Sequence, residues 1–253
     1  MPAGSTGTPA ATGIPDPSYK DIIYNFRHLN ENELSDIFPD KYKYGYFCTT
    51  FYVDTRKYMK YLTKQLTDKQ VMFIKKKINS LTEFIGVYDI VINCLGFGAR
   101  EVCHDTKIRP IRGQMIRVHA PWIKHFYYTD DNCYLIPNVD SLCLGGTRQL
   151  DNENVQVDSN DKDGIWKRCL RLCPSLAQAE ILWDWAGLRP NREPVRLEIE
   201  IYQNDIKKLS VVHNYGHGGN GISLSWGCAC DATKLFSKLY HEHESEMQTR
   251  SKL

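Results

Sequence analysis

The chain has 253 residues, of which 42% are hydrophobic and 25% are charged, and its formal net charge is +2 at pH 7. This composition is typical of one large or two smaller globular domains, and the near balance of charge gives no reason to expect a nucleic-acid partner. No apolar run approaches the roughly 20 residues of a membrane-spanning helix, and no secretion signal opens the chain, so we expect no membrane association.

The first third of the chain predicts a tail, a short helix and a strand. Residues 1–13 are rich in Ala, Gly, Thr, Ser and Pro, and we expect them to be disordered. Asn30 and Glu33 have the spacing of a capping box, which predicts a helix ending near Ile37. The aromatic-rich segment 42–53 predicts a strand.

The following segment has the pattern of a parallel α/β sheet. Asp54 is expected to cap a helix through about Thr67, because apolar residues recur there at helical spacing. Val71–Ile74 and Tyr88–Cys94 are predicted strands, and the second is nearly continuous in apolar residues. Gly96 follows it at a place where ligands bind on such sheets.

The remaining elements predict an antiparallel sheet and two helices. Residues 115–146 contain short strand-like pieces separated by turn residues. Residues 164–172 and 232–241 have apolar stripes at helical spacing.

Nine cysteines are present, and we expect them to be reduced and mostly buried, because their number is odd and no secretion signal is seen. Cys169 with Cys173, and Cys228 with Cys230, lack the CxxC spacing of zinc sites. We therefore expect no metal site.

A glycine-rich loop, His213–Gly221, is the most informative stretch, because glycines let backbone approach backbone or ligand closely. An ordinary tight turn is the alternative. Arg189 and Arg148 lie among apolar or glycine residues, and two converging guanidinium groups would suit a dicarboxylate. Taken singly, each arginine is explained as well by a structural ion pair.

Six motifs occur in order along the chain: Ile14-Pro15-Asp16-Pro17, Phe38-Pro39, Arg112-Gly113-Gln114, Gly145-Gly146-Thr147-Arg148-Gln149, Gly187-Leu188-Arg189-Pro190 and Asn214-Tyr215-Gly216-His217-Gly218-Gly219. Together they resemble the D-amino-acid oxidase and D-aspartate oxidase family of flavoenzymes. The segment Gly-Gly-Thr-Arg-Gln at 145–149 resembles the D-aspartate oxidase branch. The resemblance covers about residue 14 to the end and implies a mixed α/β (α+β) fold, with an FAD domain and a substrate domain built on a mostly antiparallel sheet.

The resemblance also implies domain limits. The substrate domain would comprise 14–56 and 113–188, and the FAD domain would comprise 57–112 and 189–250. The last three residues, Ser251-Lys252-Leu253, have the form of a peroxisomal targeting signal read by the import receptor, so we expect a peroxisomal matrix protein.

Site residues follow from the same resemblance. Arg189 and the hydroxyl of Tyr134 would bind the substrate α-carboxylate, the carbonyl of Gly219 would accept from the amine, and Arg148 would face an acidic side chain. Substrate would then be a D-amino acid such as D-aspartate or D-glutamate, oxidised with dioxygen to a 2-oxo acid, ammonia and hydrogen peroxide. His217 is interpreted as structural. FAD would be contacted by Ile78, Gly218, Gly219, Asn220, Gly221, Ile222 and Ser223.

The sequence departs from the family in two ways. No strand followed by a Gly-x-Gly-x-x-Gly turn opens the chain, because Gly4, Gly7 and Gly13 follow no strand. Relatives of the aspartate branch carry a further arginine near the position of Tyr127-Tyr128, so a preference for acidic substrates rests on Arg148.

Two alternatives to an active oxidase stay open. The chain could be a truncated, catalytically impaired isoform or fragment that binds FAD weakly or not at all. It could also be another flavin-dependent amine or glycine oxidase, which the motifs at 145–149 and 187–190 disfavour. The sequence leaves open the acidic or neutral preference, the oligomeric state, and whether the missing start is biological or a gene-model error.

Overall fold

The computed structural model describes residues 16–38 and 42–250. Ten strands and five α-helices form its framework, with short 3₁₀ turns between them. The strands are β1 (Tyr24–His28), β2 (Tyr46–Thr49), β3 (Ile90–Asn93), β4 (Arg109–His119), β5 (Tyr127–Tyr128), β6 (Tyr134–Pro137), β7 (Leu142–Gly145), β8 (Gln149–Leu150), β9 (Glu180–Gln203) and β10 (Lys208–His217). The helices are α1 (Glu31–Ile37), α2 (Thr55–Asp68), α3 (Ala99–Val102), α4 (Ser159–Leu172) and α5 (Gly221–Arg250).

The chain divides into two compact units. Unit 1 is formed by the described residues of Met1–Met72, with Ile116–Gly145 and Lys162–Trp183. Unit 2 is formed by Phe73–Met115, Gly146–Asp161 and the described residues of Asp184–Leu253. Strands β4 and β9 contribute residues to both.

Unit 1 is built on antiparallel pairs. Its strands follow the order β4-β7-β6-β5, and β1 pairs separately with β2. Tyr134 lies opposite Gly145 in the β6–β7 register. The core of this unit joins the sheet to α4 and includes Ile116, Leu135, Leu144 and Ile165, none of which is accessible to solvent.

Unit 2 has a mixed sheet. The strand order is β3-β10-β9-β4, with β8 paired to β4. β9 and β10 form a hairpin and are therefore antiparallel. On its other side, β10 runs parallel to β3. Helix α5 packs on the sheet through Ala232 and Leu239, which meet Val212. A mixed α/β fold is therefore confirmed.

Several predicted elements are confirmed and others need correction. Helix α1 has the predicted capping box at Asn30, and the antiparallel pairing of β5, β6 and β7 is as expected for residues 115–146. The predicted strand at Val71–Ile74 is wrong, because this segment lies in irregular structure and all four side chains are exposed. Helix α5 begins eleven residues before the predicted start at Ala232, and Asp54 makes no side-chain cap on α2.

No helix in the described ranges is both long and apolar enough to cross a membrane. The nine cysteines are unbridged, but the expectation that most are buried is wrong, because only Cys133, Cys143 and Cys169 are buried. The sulfurs of Cys133 and Cys169 lie 3.7 Å apart in the core of unit 1. The predicted tail at 1–13 and the tripeptide Ser251-Lys252-Leu253 lie outside the described residues.

Candidate active site

Arg189 lies on β9 in unit 2, and its guanidinium occupies the space beside Gly113 on β4. A Cβ atom on Gly113 would overlap the guanidinium of Arg189. Nη1 of Arg189 donates to the carbonyl of Thr147 at 3.2 Å. The side chain is half-buried, and the structure shows no carboxylate partner for it among the described residues. This surrounding favours a guanidinium available to an acidic ligand over a structural ion pair.

Arg148 lies in the short connection between β7 and β8, next to Thr147. Its side chain is exposed and makes neither a hydrogen bond nor an ion pair within the described ranges. Its neighbour Thr147 is fixed on both sides, because Oγ1 accepts from the backbone N–H of Gln114 at 2.8 Å and the carbonyl accepts from Arg189. The segment Thr147–Arg148 thus carries Arg148 and also accepts a hydrogen bond from Arg189.

Tyr134 lies on β6 in unit 1, where its ring fills the space of an absent side chain. A Cβ atom on Gly145, the opposite residue on β7, would overlap the Tyr134 ring. The ring of Tyr128 stacks on the other side, with centroids 6.2 Å apart and planes within 2°. The orientation of Tyr134 is therefore fixed by its own unit.

Residues 213–217 of the predicted glycine-rich loop belong to β10, and the rest forms the 3₁₀ turn Gly218–Asn220 and the start of α5 at Gly221. Gly216 and Gly218 have φ values of +93° and +57°, which L side chains rarely adopt. With Gly221, these two glycines have the spacing Gly-x-Gly-x-x-Gly between a strand and a helix. No strand follows α5 in the described residues, so this spacing does not belong to the βαβ unit of a dinucleotide-binding turn.

The remaining predicted cofactor residues fall at two places in unit 2. The 3₁₀ turn Gly218–Asn220 and the first turn of α5, with Ile222 and Ser223, are mostly exposed. A Cβ on Gly219 would lie 3.7 Å from Cδ of Arg189, so the structure brings Gly219 and Arg189 together. Ile78 is half-buried in irregular structure.

Two histidines of β10 lie next to the loop and are uncharged at neutral pH. Burial lowers the pKa of His217, and Nε2 of this ring has no hydrogen-bond partner in the described part of the chain. Burial, with the charge of Arg196, also lowers the pKa of His213. Within the described residues, no group of three His, Cys, Asp or Glu side chains is arranged to hold a metal ion.

The model of one protein family, described as "FAD dependent oxidoreductase" (DAO), matches residues 19–235. The chain belongs to this family. This confirms the family indicated by the six motifs and establishes FAD as the cofactor of the DAO family to which the chain belongs.

Relatives within the DAO family are similar along most of the chain. A D-aspartate oxidase of Homo sapiens is 38% identical over 226 residues, which cover 89% of this chain and 66% of the relative. A D-amino acid oxidase of Dugesia ryukyuensis is 38% identical over 226 residues, covering 87% of this chain and 67% of the relative. The chain thus spans about two thirds of the length of the curated relatives it matches.

A solved structure supports the fold. The L-alpha-glycerophosphate oxidase of Mycoplasma pneumoniae, determined with FAD bound, aligns with a TM-score of 0.63 at 14% identity. The alignment covers 84% of this chain and 65% of that one. At this identity the similarity concerns the DAO-type fold alone.

The glycine loop fits the requirements of a flavin. The first backbone N–H groups of a helix have no partner inside the helix, so the start of α5 offers donors to an anion or a ring edge. Gly218, Gly219 and Gly221 carry no side chain that would keep a planar ring away from this backbone. The contact between this segment and FAD stays a prediction, and the absence of side chains at these glycines is compatible with it.

Proposed function

We propose that this chain carries the site of an FAD-dependent oxidase of D-amino acids, with D-aspartate and D-glutamate as preferred substrates. The observation that supports it best is the arrangement at Thr147. Its carbonyl holds Arg189, and the adjacent Arg148 is exposed and has no partner among the described residues. Two guanidinium groups, one carried by this segment and one hydrogen-bonded to it, suit a substrate with two carboxylates.

The proposed roles of the residues are binding and orientation. Arg189 binds the α-carboxylate, and the carbonyl of Gly219 accepts from a neutral substrate amine. Arg148 binds the side-chain carboxylate. When bound, FAD supplies the acceptor for the hydride from the substrate Cα and is reoxidised by dioxygen, which gives hydrogen peroxide.

The protein needs no acid–base residue in this scheme. The oxidised product is an imino acid, which water hydrolyses to the 2-oxo acid and ammonia. His217 is half-buried and neutral and is explained as part of the loop. The chain contributes by fixing two carboxylates and one amine so that a single hydrogen faces the acceptor.

A second candidate is a protein of the same family that binds FAD weakly or not at all. It is supported by β3, an edge strand in the described sheet whose Ile92 is 45% exposed, and by the exposed apolar segment Val71–Ile74. Exposed apolar side chains at a sheet edge leave that edge of unit 2 uncovered by protein.

Purification of the chain in the presence of FAD, followed by a visible spectrum and a peroxide assay, separates the two candidates. A flavin spectrum that stays with the protein after gel filtration, together with peroxide release from D-aspartate, is the expected result. Protein that carries no flavin and releases no peroxide would support the weak-binding candidate instead.

We also propose import into the peroxisome through Ser251-Lys252-Leu253, which is consistent with a peroxide-forming reaction. A fluorescent protein fused in front of the chain should collect in peroxisomes, and removal of Leu253 should leave it dispersed. Equal distributions of the two fusions would contradict this proposal.

A further inference from the structure

Arg112 is a buried arginine on β4 that forms five hydrogen bonds. Its side chain is 1% exposed. It donates to two backbone carbonyls, those of Asn154 at 2.6 Å and Gln156 at 2.7 Å. The other three acceptors are side chains: Asp161 at 2.6 Å, Gln149 at 3.0 Å and Gln114 at 2.8 Å. Because a guanidinium has five N–H groups, none is left for a ligand.

The side-chain partners are themselves connected. Nε2 of Gln149 donates to the carboxylate of Asp161 at 3.0 Å. Nε2 of Gln114 donates to the carbonyl of Asp158 at 2.8 Å, and the backbone N–H of Asp158 donates back to Oε1 of Gln114 at 2.9 Å. We call Arg112, Gln114, Gln149 and Asp161 the Arg112 cluster. A buried network with its members paired in this way is rigid.

The cluster reaches both neighbours of Arg148. Gln149, on one side, is a member of the cluster. Thr147, on the other side, accepts from the backbone N–H of Gln114. The backbone on which Arg148 stands is therefore held at two points, while the Arg148 side chain itself is exposed.

The same segment of β4 also holds Arg189. Gly113, between the two cluster members Arg112 and Gln114, leaves the space that the Arg189 guanidinium occupies. Thr147 then accepts from Arg189 through its carbonyl. The backbone of Arg148 and the guanidinium of Arg189 are thus both held relative to three consecutive residues of β4.

We propose that the Arg112 cluster is a positioning device that sets the separation of Arg148 and Arg189, and thereby selects ligands by the distance between their two carboxylates. This inference rests on the proposed function, because it takes both arginines as carboxylate-binding groups. A rigid separation favours one chain length of dicarboxylate, since a ligand that is too short or too long engages only one guanidinium.

The variant Thr147→Val tests the link without opening the buried cluster. Valine has nearly the shape of threonine but cannot accept from the Gln114 N–H, and the carbonyl that holds Arg189 is kept. Thr147→Ser keeps the hydroxyl and serves as the conservative rescue. Arg109→Gln is the matched control, because it removes an exposed arginine ion pair with Asp151 from the same strand.

The measurement is calorimetric binding of succinate, glutarate and propionate to the FAD-loaded chain, together with the thermal midpoint of each variant. We expect Thr147→Val to lower the ratio of succinate to propionate affinity about tenfold, because a buried N–H loses its acceptor and the Arg148 segment shifts. It should also reduce discrimination between succinate and glutarate. Thr147→Ser and Arg109→Gln should keep the ratios of the unchanged protein.

The outcomes separate this inference from the proposed function. A ratio unchanged in Thr147→Val, or an equal loss for succinate and propionate, overturns the positioning role whatever the enzyme activity. Absence of carboxylate binding to the unchanged protein overturns it as well. Selective succinate binding without peroxide release from D-aspartate would contradict the proposed oxidase while supporting the positioning role.

Discussion

At the scale of single residues, the two arginines of the proposed site differ in their surroundings. Arg189 is half-buried and held by a carbonyl, whereas Arg148 is exposed at the end of a fixed segment. A held guanidinium suits the α-carboxylate, which every amino acid has. The exposed guanidinium of Arg148 suits the side-chain carboxylate of the substrate, because substrates differ in their side chains.

Replacement of Arg148 should therefore change selectivity more than activity. In Arg148→Ala, kcat/KM for D-aspartate should fall by about a hundredfold, because a charge-assisted bond to the substrate is worth roughly 1.5–3 kcal/mol. The value for D-alanine should change by less than about threefold. Steady-state peroxide assays measure both, and Arg148→Lys should retain part of the D-aspartate activity. Equal losses for the two substrates would show that Arg148 does not read the side chain.

His213 makes stability depend on pH. Its ring is fully buried; Nδ1 lies 3.1 Å from the amide nitrogen of Asn93, and Nε2 lies 2.9 Å from Glu200. The amide donates to Nδ1, so the proton of the neutral ring is on Nε2. Because burial lowers the pKa of His213, the unfolded chain binds a proton near pH 6.5 and the folded chain binds it only at lower pH.

The contribution of His213 to the free energy of unfolding should thus be fully present above about pH 6.5 and should decrease as the pH is lowered through this value. Urea unfolding at pH 7.5 and pH 5.5 measures the difference. In His213→Gln the difference should be smaller, and in His119→Gln, which changes an exposed ring, it should equal that of the unchanged protein. A difference unaffected by His213→Gln would assign the pH dependence to other groups.

Sequence reasoning reached these residues unevenly. The family motifs singled out Arg148 and Arg189, because each stands in a short recognisable segment. The cluster around Arg112 was missed, because its acceptors at Asn154, Gln156 and Asp161 lie more than forty positions away. Such pairings depend on the sheet and have no signal in local sequence.

At the scale of elements, local signals were reliable where the chain itself makes the contact. The capping box of α1 joins Asn30 and Glu33, which are three residues apart, and the structure has both of its bonds. The predicted strand at Val71–Ile74 was wrong, because a strand needs a neighbour and the described sheet offers it none. Helix α5 was predicted too short, because the glycines at its start have low helix propensity.

The N-cap of α1 contributes measurably to the free energy of unfolding. Asn30→Ala should lower the free energy of unfolding by about 1 kcal/mol, because the N–H of Glu33 loses its side-chain acceptor. Asn32→Ala, an exposed change within the same helix, should cost about half of this or less. Urea unfolding of the three proteins checks the comparison, and equal losses for the two variants would mean that the cap contributes nothing specific.

At the scale of the whole molecule, unit 2 has an edge strand, β3, with an exposed apolar side chain. Ile92 lies on this strand and is 45% exposed. Edge strands with exposed apolar side chains are sites of self-association. We therefore expect the isolated chain to associate through β3.

Ile92→Thr should reduce this association, because threonine keeps the preference for strand and removes apolar surface. Light scattering at increasing protein concentration should fall relative to the unchanged protein. Ile206→Thr, at an exposed isoleucine of the β9–β10 turn, is the control and should leave scattering unchanged. Equal scattering of all three proteins would exclude β3 as the associating edge.

The space beside Gly113 has a consequence for the history of the family. The Arg189 guanidinium occupies the volume that any larger residue at 113 would need, and the ring of Tyr134 does the same at Gly145. A larger residue at either position would therefore require the neighbouring guanidinium or ring to move. Among relatives, loss of glycine at either position should coincide with loss or displacement of its partner. The residue types at positions 113 and 145 should therefore indicate which relatives keep these two predicted carboxylate-binding groups.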